Sequence, residues 1–162
     1  MDEKILVLEQ SITLTEEMIK RAEKSVQDFQ EEANYHKGAM ESRYDTFKEE
    51  AQYMVDANKK RLVSLSAYLT RTKQLIEIIK NNDLTENVIS LGKCFEIQRD
   101  QTIKHFFVVP FANIPNCTIN NKQYILIGSS SPVYKVFKGL KVNDFSDDEN
   151  GQFDAYEVKE IF

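Results

Sequence analysis

Helix-breaking residues are unevenly distributed along this 162-residue chain. Residues 1–80 contain no proline and only Gly38, whereas residues 81–162 carry Pro110, Pro115 and Pro132 with Gly92, Gly128, Gly139 and Gly151. So long a stretch without breakers predicts helix before any other signal is consulted. Within it, Ile5, Leu8, Ile12, Thr15, Ile19, Ala22, Val26, Phe29 and Ala33 recur at steps of three and four. Ala51, Met54, Asn58, Leu62, Leu65, Leu69, Thr72, Ile76 and Ile79 repeat the spacing after a polar interval. This is the narrow apolar seam of a coiled coil, not the wide stripe of a helix lying on a globular core. Two seams joined by a short polar connection satisfy each other by folding back, so residues 1–80 predict an antiparallel helical hairpin. An arm of roughly 30 residues is about 45 Å long at 1.5 Å rise per residue. Such a hairpin is expected to project from the rest of the chain.

The seam between architectures falls at 81–87, the sequence NDLTE with flanking asparagines. Beyond it, alternation with β-branched and aromatic residues predicts strands at 88–91, 93–98, 105–109, 123–128 and 155–161. The stretch SPVYKVFKG reads as a short helix, with Pro132 in its first turn and Gly139 ending it. The expected organisation is a projecting coiled-coil hairpin over 1–80, followed by a small antiparallel α+β domain over 84–162.

Charge and cysteine content narrow the chemistry. The formal charge is −5, with 15 acids and 13 bases in residues 1–80 and 11 and 8 in residues 81–162. Neither half offers the broad basic field that non-specific binding to free DNA requires. Cys94 and Cys117 form no CxxC pair and have no nearby histidine cluster, so they read as buried thiols in a reducing compartment. The acidic start MDEKILVLEQ has no signal-peptide core, and no run approaches a membrane span. A cytoplasmic protein without a membrane partner is expected.

Three stretches carry a family resemblance. Ser130-Ser131-Pro132 is followed by Gly139, then by Leu140-Lys141-Val142-Asn143-Asp144. Ile89-Ser90-Leu91-Gly92 and Ala51-Gln52-Tyr53 are the other two. In these stretches, and in its architecture along nearly the whole chain, the protein resembles the bacterial Gre transcript-cleavage factors. Asn143 stands where that family has a second glycine, a mild departure because asparagine tolerates a left-handed turn. Tyr44 replaces a glycine, Glu50 replaces an asparagine, and Asp45 lies one residue further from Ala51 than the family's tip aspartate.

The resemblance implies an FKBP-like C-terminal domain that docks at the rim of the RNA polymerase secondary channel, with Ser131 and Pro132 near the docking surface. It implies that the hairpin enters the channel and presents Asp45, Glu49 and Glu50 beside the catalytic magnesium and the backtracked RNA 3′ end. The protein would then activate the polymerase's own RNA cleavage and not be an enzyme itself. The chemistry is coherent. Magnesium usually takes one or two protein carboxylates beside phosphate and water, so a carboxylate pair is a poor free site but a good half of a shared one. Glu41 is a weaker fourth acid. Arg43, Lys48 and Lys37 are suited to RNA phosphates, and Tyr44 and Phe47 to stacking on a base.

Simpler readings stand beside these. Thr46-Phe47-Lys48-Glu49 has capping-box spacing, and Asp45 and Glu50 suit a helix N-terminus electrostatically. The basic residues also read as solvated surface, the aromatics as hairpin-end packing, and His36 and His105 as structural residues. The run 147–151 reads as a solvated turn, since the spaced ligands and closing glutamate of a calcium loop are missing. Three other functions compete: a Gre-like paralogue that occupies the channel and inhibits or regulates, an FKBP-like prolyl isomerase, and a helical-hairpin adaptor or chaperone. Fold alone does not choose among them.

Overall fold

The computed structural model describes residues 3–35, 44–81, 86–110, 114–149 and 151–162. Two long helices, α1 (Glu3–Tyr35) and α2 (Tyr44–Lys80), form the expected helical hairpin. They are followed by β1 (Cys94–Arg99), β2 (Thr102–Val109), β3 (Cys117–Ile119), β4 (Lys122–Gly128), α3 (Pro132–Phe137) and β5 (Glu157–Ile161). By compactness the chain divides into two units. One combines Met1–Leu14 with Thr70–Phe162, and the other is Thr15–Leu69. Among the described residues no helix is long and apolar enough to cross a membrane.

In Thr15–Leu69 the helices bury the seam anticipated from spacing, with one correction. Ala51, Val55 and Leu65 are buried, whereas Met54 is 40% exposed. Taking Val55 in place of Met54 keeps strict heptads, with Val55, Leu62, Leu69 and Ile76 each seven residues apart. Stepping through Met54 would have broken the alternation of three and four and turned the seam off the contact face.

In the other unit the strands form one sheet in the order β3-β4-β2-β1-β5. Three pairings are antiparallel, but β2 and β4 are parallel, so the sheet is antiparallel-rich and not purely antiparallel. The cause is β3, which the sequence reading did not anticipate. It pairs with β4 through a hairpin whose turn residues Asn120 and Asn121 have φ of 51° and 63°. That turn delivers β4 to β2 in the same direction.

Two further expectations are corrected. Residues 88–91 form no strand. Ile89 instead exchanges backbone hydrogen bonds with Leu140 and Gly139, and Gly92 turns the chain at φ 82°. Ala155 has φ 55°, incompatible with an extended strand, so β5 starts at Glu157.

Alternation along the strands separates two faces. Phe95, Ile97, Phe106, Val108 and Ile127 meet Tyr134 and Phe137 of α3 in the main core. Phe95 stacks on Phe106 with ring centroids 5.3 Å apart. The opposite face carries Cys94, Phe107, Cys117 and Tyr124, each 0% exposed. Both cysteines are free and buried, as expected, and burial pushes the Cys117 thiol up to about 11. On this side the Thr118 amide donates to Gln10 Oε1 of α1 at 3.1 Å, tying the short edge strand to the start of the first helix.

Candidate functional site

The acidic stretch enters structure earlier than its spacing implied. The polar connection expected between the two seams does not extend through it, because Tyr44 is already helical. Thr46 therefore lies inside α2 and is not its N-cap, so the Thr46–Glu49 capping box is not made. Asp45 is the second residue of the helix, and Glu49 follows it one turn later. The side chain of Asp45 lies outside the description, as do Arg43, His36, Lys37 and Glu41 entirely.

Ala51 and Val55, at 4% and 0% exposure, anchor this end of α2 by its buried face. Glu49 and Glu50 are consequently directed away from the seam and are exposed. With Tyr53 and Met54 they line an open trough of about 450 Å3. Among the described residues neither carboxylate has a hydrogen bond or an ion pair. Both remain available to an outside partner. Lys48 is exposed on the same part of the helix, and Phe47 and Tyr53 are 54% and 74% exposed.

Among the described residues no three histidine, cysteine, aspartate or glutamate side chains are grouped so as to hold a metal ion. Glu49 and Glu50 offer hard oxygen donors suited to magnesium, but an ion held there needs further ligands from elsewhere.

The second candidate element is the start of α3. Ser131 is its N-cap, with φ −69° and ψ 149°, and its Oγ accepts from the Tyr134 amide at 3.1 Å. Pro132 follows at the first helical position, exposed, while Tyr134 and Phe137 anchor the helix in the core. After the helix, Gly139 takes φ 80° and its amide donates to the Ile89 carbonyl at 2.9 Å. Asn143 takes φ 71°, and its amide donates to the Val158 carbonyl at 2.8 Å. Asp144 closes the turn by accepting from the Lys141 amide at 2.7 Å. Ser131–Pro132, Gly139 and Asn143–Asp144 thus belong to one structure, capped locally at Ser131 and Asp144 and tied to the distant Ile89 and Val158.

His105 has a partner that sequence did not disclose. Its Nε2 lies 3.0 Å from Glu96 Oε2, directly across the β1–β2 ladder. The 147–151 turn is built around Asp148, whose carbonyl accepts from the Gly151 amide and whose carboxylate accepts from the Phe153 amide. Its side chain is thus engaged in closing the turn.

No protein-family model matches this sequence, and no curated protein matches it. Among solved structures, the chain is similar to the GreA factor homolog 1 (Gfh1) protein of Thermus thermophilus, at 17% identity over 94% of each chain with a TM-score of 0.35. It is also similar to a structure described as the transcription factor Gfh1, at 19% identity over 93% of this chain and 92% of that one, with a TM-score of 0.36.

Proposed function

We propose that this chain is a transcription elongation factor that binds RNA polymerase, inserts its helical hairpin into the secondary channel and stimulates magnesium-dependent cleavage of backtracked RNA. The observation that carries the proposal is the backbone of 130–144. Where the Gre resemblance demands two glycines, Gly139 and Asn143 both adopt positive φ, at 80° and 71°. The serine and proline of the motif form a real N-cap and first helical residue. Both glycine positions of the motif thus have, in this chain, a backbone that glycine favours, including the one substituted by asparagine.

Ser131, Pro132 and the turn after α3 form the polymerase-docking element in this reading. Exposed Lys135 and Lys138 flank it on the short helix. Asp45, Glu49 and Glu50 are carried on a continuous helix, which fixes their spacing before the polymerase is met and avoids the ordering cost of a loop. They would hold a magnesium ion jointly with the polymerase. When bound, that ion supplies activation of a water and charge neutralisation at the leaving oxygen. In this reading Arg43 and Lys48 would accompany the RNA phosphates. The decisive experiment is an RNA-cleavage assay on stalled elongation complexes of the cognate polymerase. Faster cleavage with wild-type protein supports the proposal, and absence of polymerase binding overturns it.

A second reading draws on the helix itself. Asp45 lies one residue further from Ala51 than in the Gre pattern, and α2 already contains it, so no loop absorbs the difference. One residue of helix is a rotation of about 100°, so Asp45 stands at i and Glu49 at i+4, still neighbours on the helix but in a different relative setting from the Gre pair. A factor that occupies the channel and inhibits or regulates without efficient cleavage follows from that rotation. The same assay separates the two: binding with slowed or unchanged cleavage selects the regulator.

A further inference from the structure

Within Thr15–Leu69 the hairpin holds a polar notch that plays no part in the function proposed above. Met18, Arg21, Ala22 and Ser25 of α1, with Asn58 and Arg61 of α2, line a cavity of about 260 Å3. The seam is thin at this level. Ala22 is buried but small, and Asn58 occupies the heptad position filled by Ala51 and Leu65 on either side. Asn58 Nδ2 donates to the Met54 carbonyl at 2.9 Å, which leaves its second N–H uncommitted. Ser25 Oγ donates to the Arg21 carbonyl at 3.0 Å. Among the described residues the Arg61 guanidinium has no hydrogen bond or ion pair. Arg21 touches Glu17 at 3.5 Å in a pair whose side chains are 80% and 54% exposed. Exposed pairs of this kind are weak and exchange readily for a better anion.

The surroundings reinforce the notch. Lys20, Arg21 and Lys24 of α1 and Lys59, Lys60 and Arg61 of α2 share 20–25 and 58–61 with one acid, Glu23, while Glu16, Glu17, Asp28 and Asp56 lie a helical turn away. This is a basic belt in a protein whose formal charge is −5. Like-charged side chains at one level of a hairpin repel each other, so the belt is costly unless an anion sits on it.

We propose that this notch binds a small phosphate oxyanion of the di- or triphosphate class, either free or as the phosphate tail of a nucleotide. Guanidinium groups from facing helices each offer a planar fork of donors, the geometry that matches phosphate oxygens in pairs. A ligand that engages both must carry several negative charges, which excludes halides and simple carboxylates. The cavity is smaller than the roughly 300–1,000 Å3 of sites that enclose whole drug-sized molecules. It therefore takes phosphate groups and leaves an attached nucleoside outside. The belt covers about 8 Å of helix axis at 1.5 Å per residue, whereas grooves that track single strands cover about 4–16 nucleotides. A discrete anion fits it better than a polynucleotide.

The test is calorimetric titration of the full-length protein, without polymerase or magnesium, at low ionic strength, where a charged site is least screened. Inorganic tripolyphosphate and ATP are the two probes. Saturable one-to-one binding of tripolyphosphate is expected. Equal affinity for ATP assigns the site to phosphate alone, and at least tenfold tighter ATP binding assigns it to a nucleotide. Arg21→Gln and Arg61→Gln should each weaken binding tenfold or more. Asn58→Leu fills the notch with an apolar seam residue and should abolish binding while the helices remain folded by circular dichroism. Lys135→Gln with Lys138→Gln removes two charges far in sequence from the belt and should change affinity less than twofold. Non-saturable heats, equal losses in the two sets of charge variants, or wild-type affinity in Asn58→Leu would each overturn the proposal. Because no polymerase is present, these outcomes are independent of the proposed role in transcription.

Discussion

The two units are held together by different kinds of core. Thr15–Leu69 relies mostly on a ladder of small or partly buried side chains, in which Ala22, Ala33, Ala51, Val55 and Leu65 are buried and Tyr68 is the one fully buried ring among its described residues. The sheet unit buries whole aromatic rings: Phe95, Phe106, Phe107, Phe137 and Tyr124 are at most 1% exposed. Apolar burial stabilises in proportion to area, so each aromatic contributes several times what an alanine does. The comparison teaches where each unit has latitude. A seam of small residues leaves surface positions such as Glu49, Glu50, Arg21 and Arg61 open to function, while the sheet unit supplies the rigid core on which the α3 turn is set.

The sharpest way to break that comparison is to remove one ring. Phe106 stacks on Phe95 and lies near Phe137 and Phe153. Phe106→Ala should cost about 3–5 kcal/mol by cavity formation. Chemical denaturation read by hydrogen exchange should place the loss in the sheet unit. A similar loss of protection confined to Thr15–Leu69 would mean that the two cores are not energetically distinct.

A smaller effect sharpens the comparison inside the hairpin. Val55 is 0% exposed and Met54 40% exposed, although simple spacing favoured Met54 for the seam. Val55→Ala should cost about 2 kcal/mol in thermal unfolding, from two lost methyl groups and a residual cavity. Met54→Ala should stay within about 0.5 kcal/mol. The reverse order would put the seam one residue out of place and rotate Glu49 and Glu50 with it.

At the acidic end the expected effect is on rate and not on stability. The double variant Glu49→Gln with Glu50→Gln keeps size and hydrogen bonding but removes the charge that magnesium requires. Cleavage on stalled complexes should fall tenfold or more, equivalent to about 1.4 kcal/mol of barrier, with polymerase affinity nearly unchanged. Asp45→Asn tests the rotated residue. An effect as large as that of the glutamates supports the cleavage reading, and none supports the regulator.

How much of this was legible beforehand depended on whether the relevant neighbours were local. The helices and their seam were readable because a heptad repeats the same information many times, and a single wrong step at Met54 did little damage. The three residues of β3 gave periodicity too little length to register. The Asn120–Asn121 pair was the available signal, since two residues that tolerate positive φ between apolar runs mark a tight hairpin. The pairing of His105 with Glu96 depends on the β1–β2 register set by the turn at Asp100, which has φ 54°. The notch between Arg21 and Arg61 needs the register of two helices, information that no single stretch contains. Among the candidate site residues, the exposure of Glu49 and Glu50 was legible from type and position. Their freedom from capping was not, because that follows from where α2 begins.

The smallest effects belong to the turn after α3, and they test whether its resemblance to the Gre motif is physical. Ser131→Ala removes the side chain that accepts from the Tyr134 amide and should cost about 1 kcal/mol. Replacing Ser131 and Pro132 together should also weaken polymerase binding. Asn143 offers a finer probe, because its φ of 71° lies where a β-carbon is strained and asparagine is the tolerated exception. Asn143→Gly restores the residue of the family pattern. It relieves the strain but loosens the unfolded chain, so stability should move by no more than about 0.5 kcal/mol. Asn143→Ala keeps the strain without the compensating side chain and should cost about 1 kcal/mol. If alanine were tolerated as well as glycine, the left-handed turn would carry no weight, and the match at 139–144 would reduce to coincidence of letters. If glycine is neutral and alanine is not, the substituted position obeys the same backbone requirement as the glycine it replaces. The turn after α3, the docking element proposed above, can then be compared with the Gre pattern residue by residue.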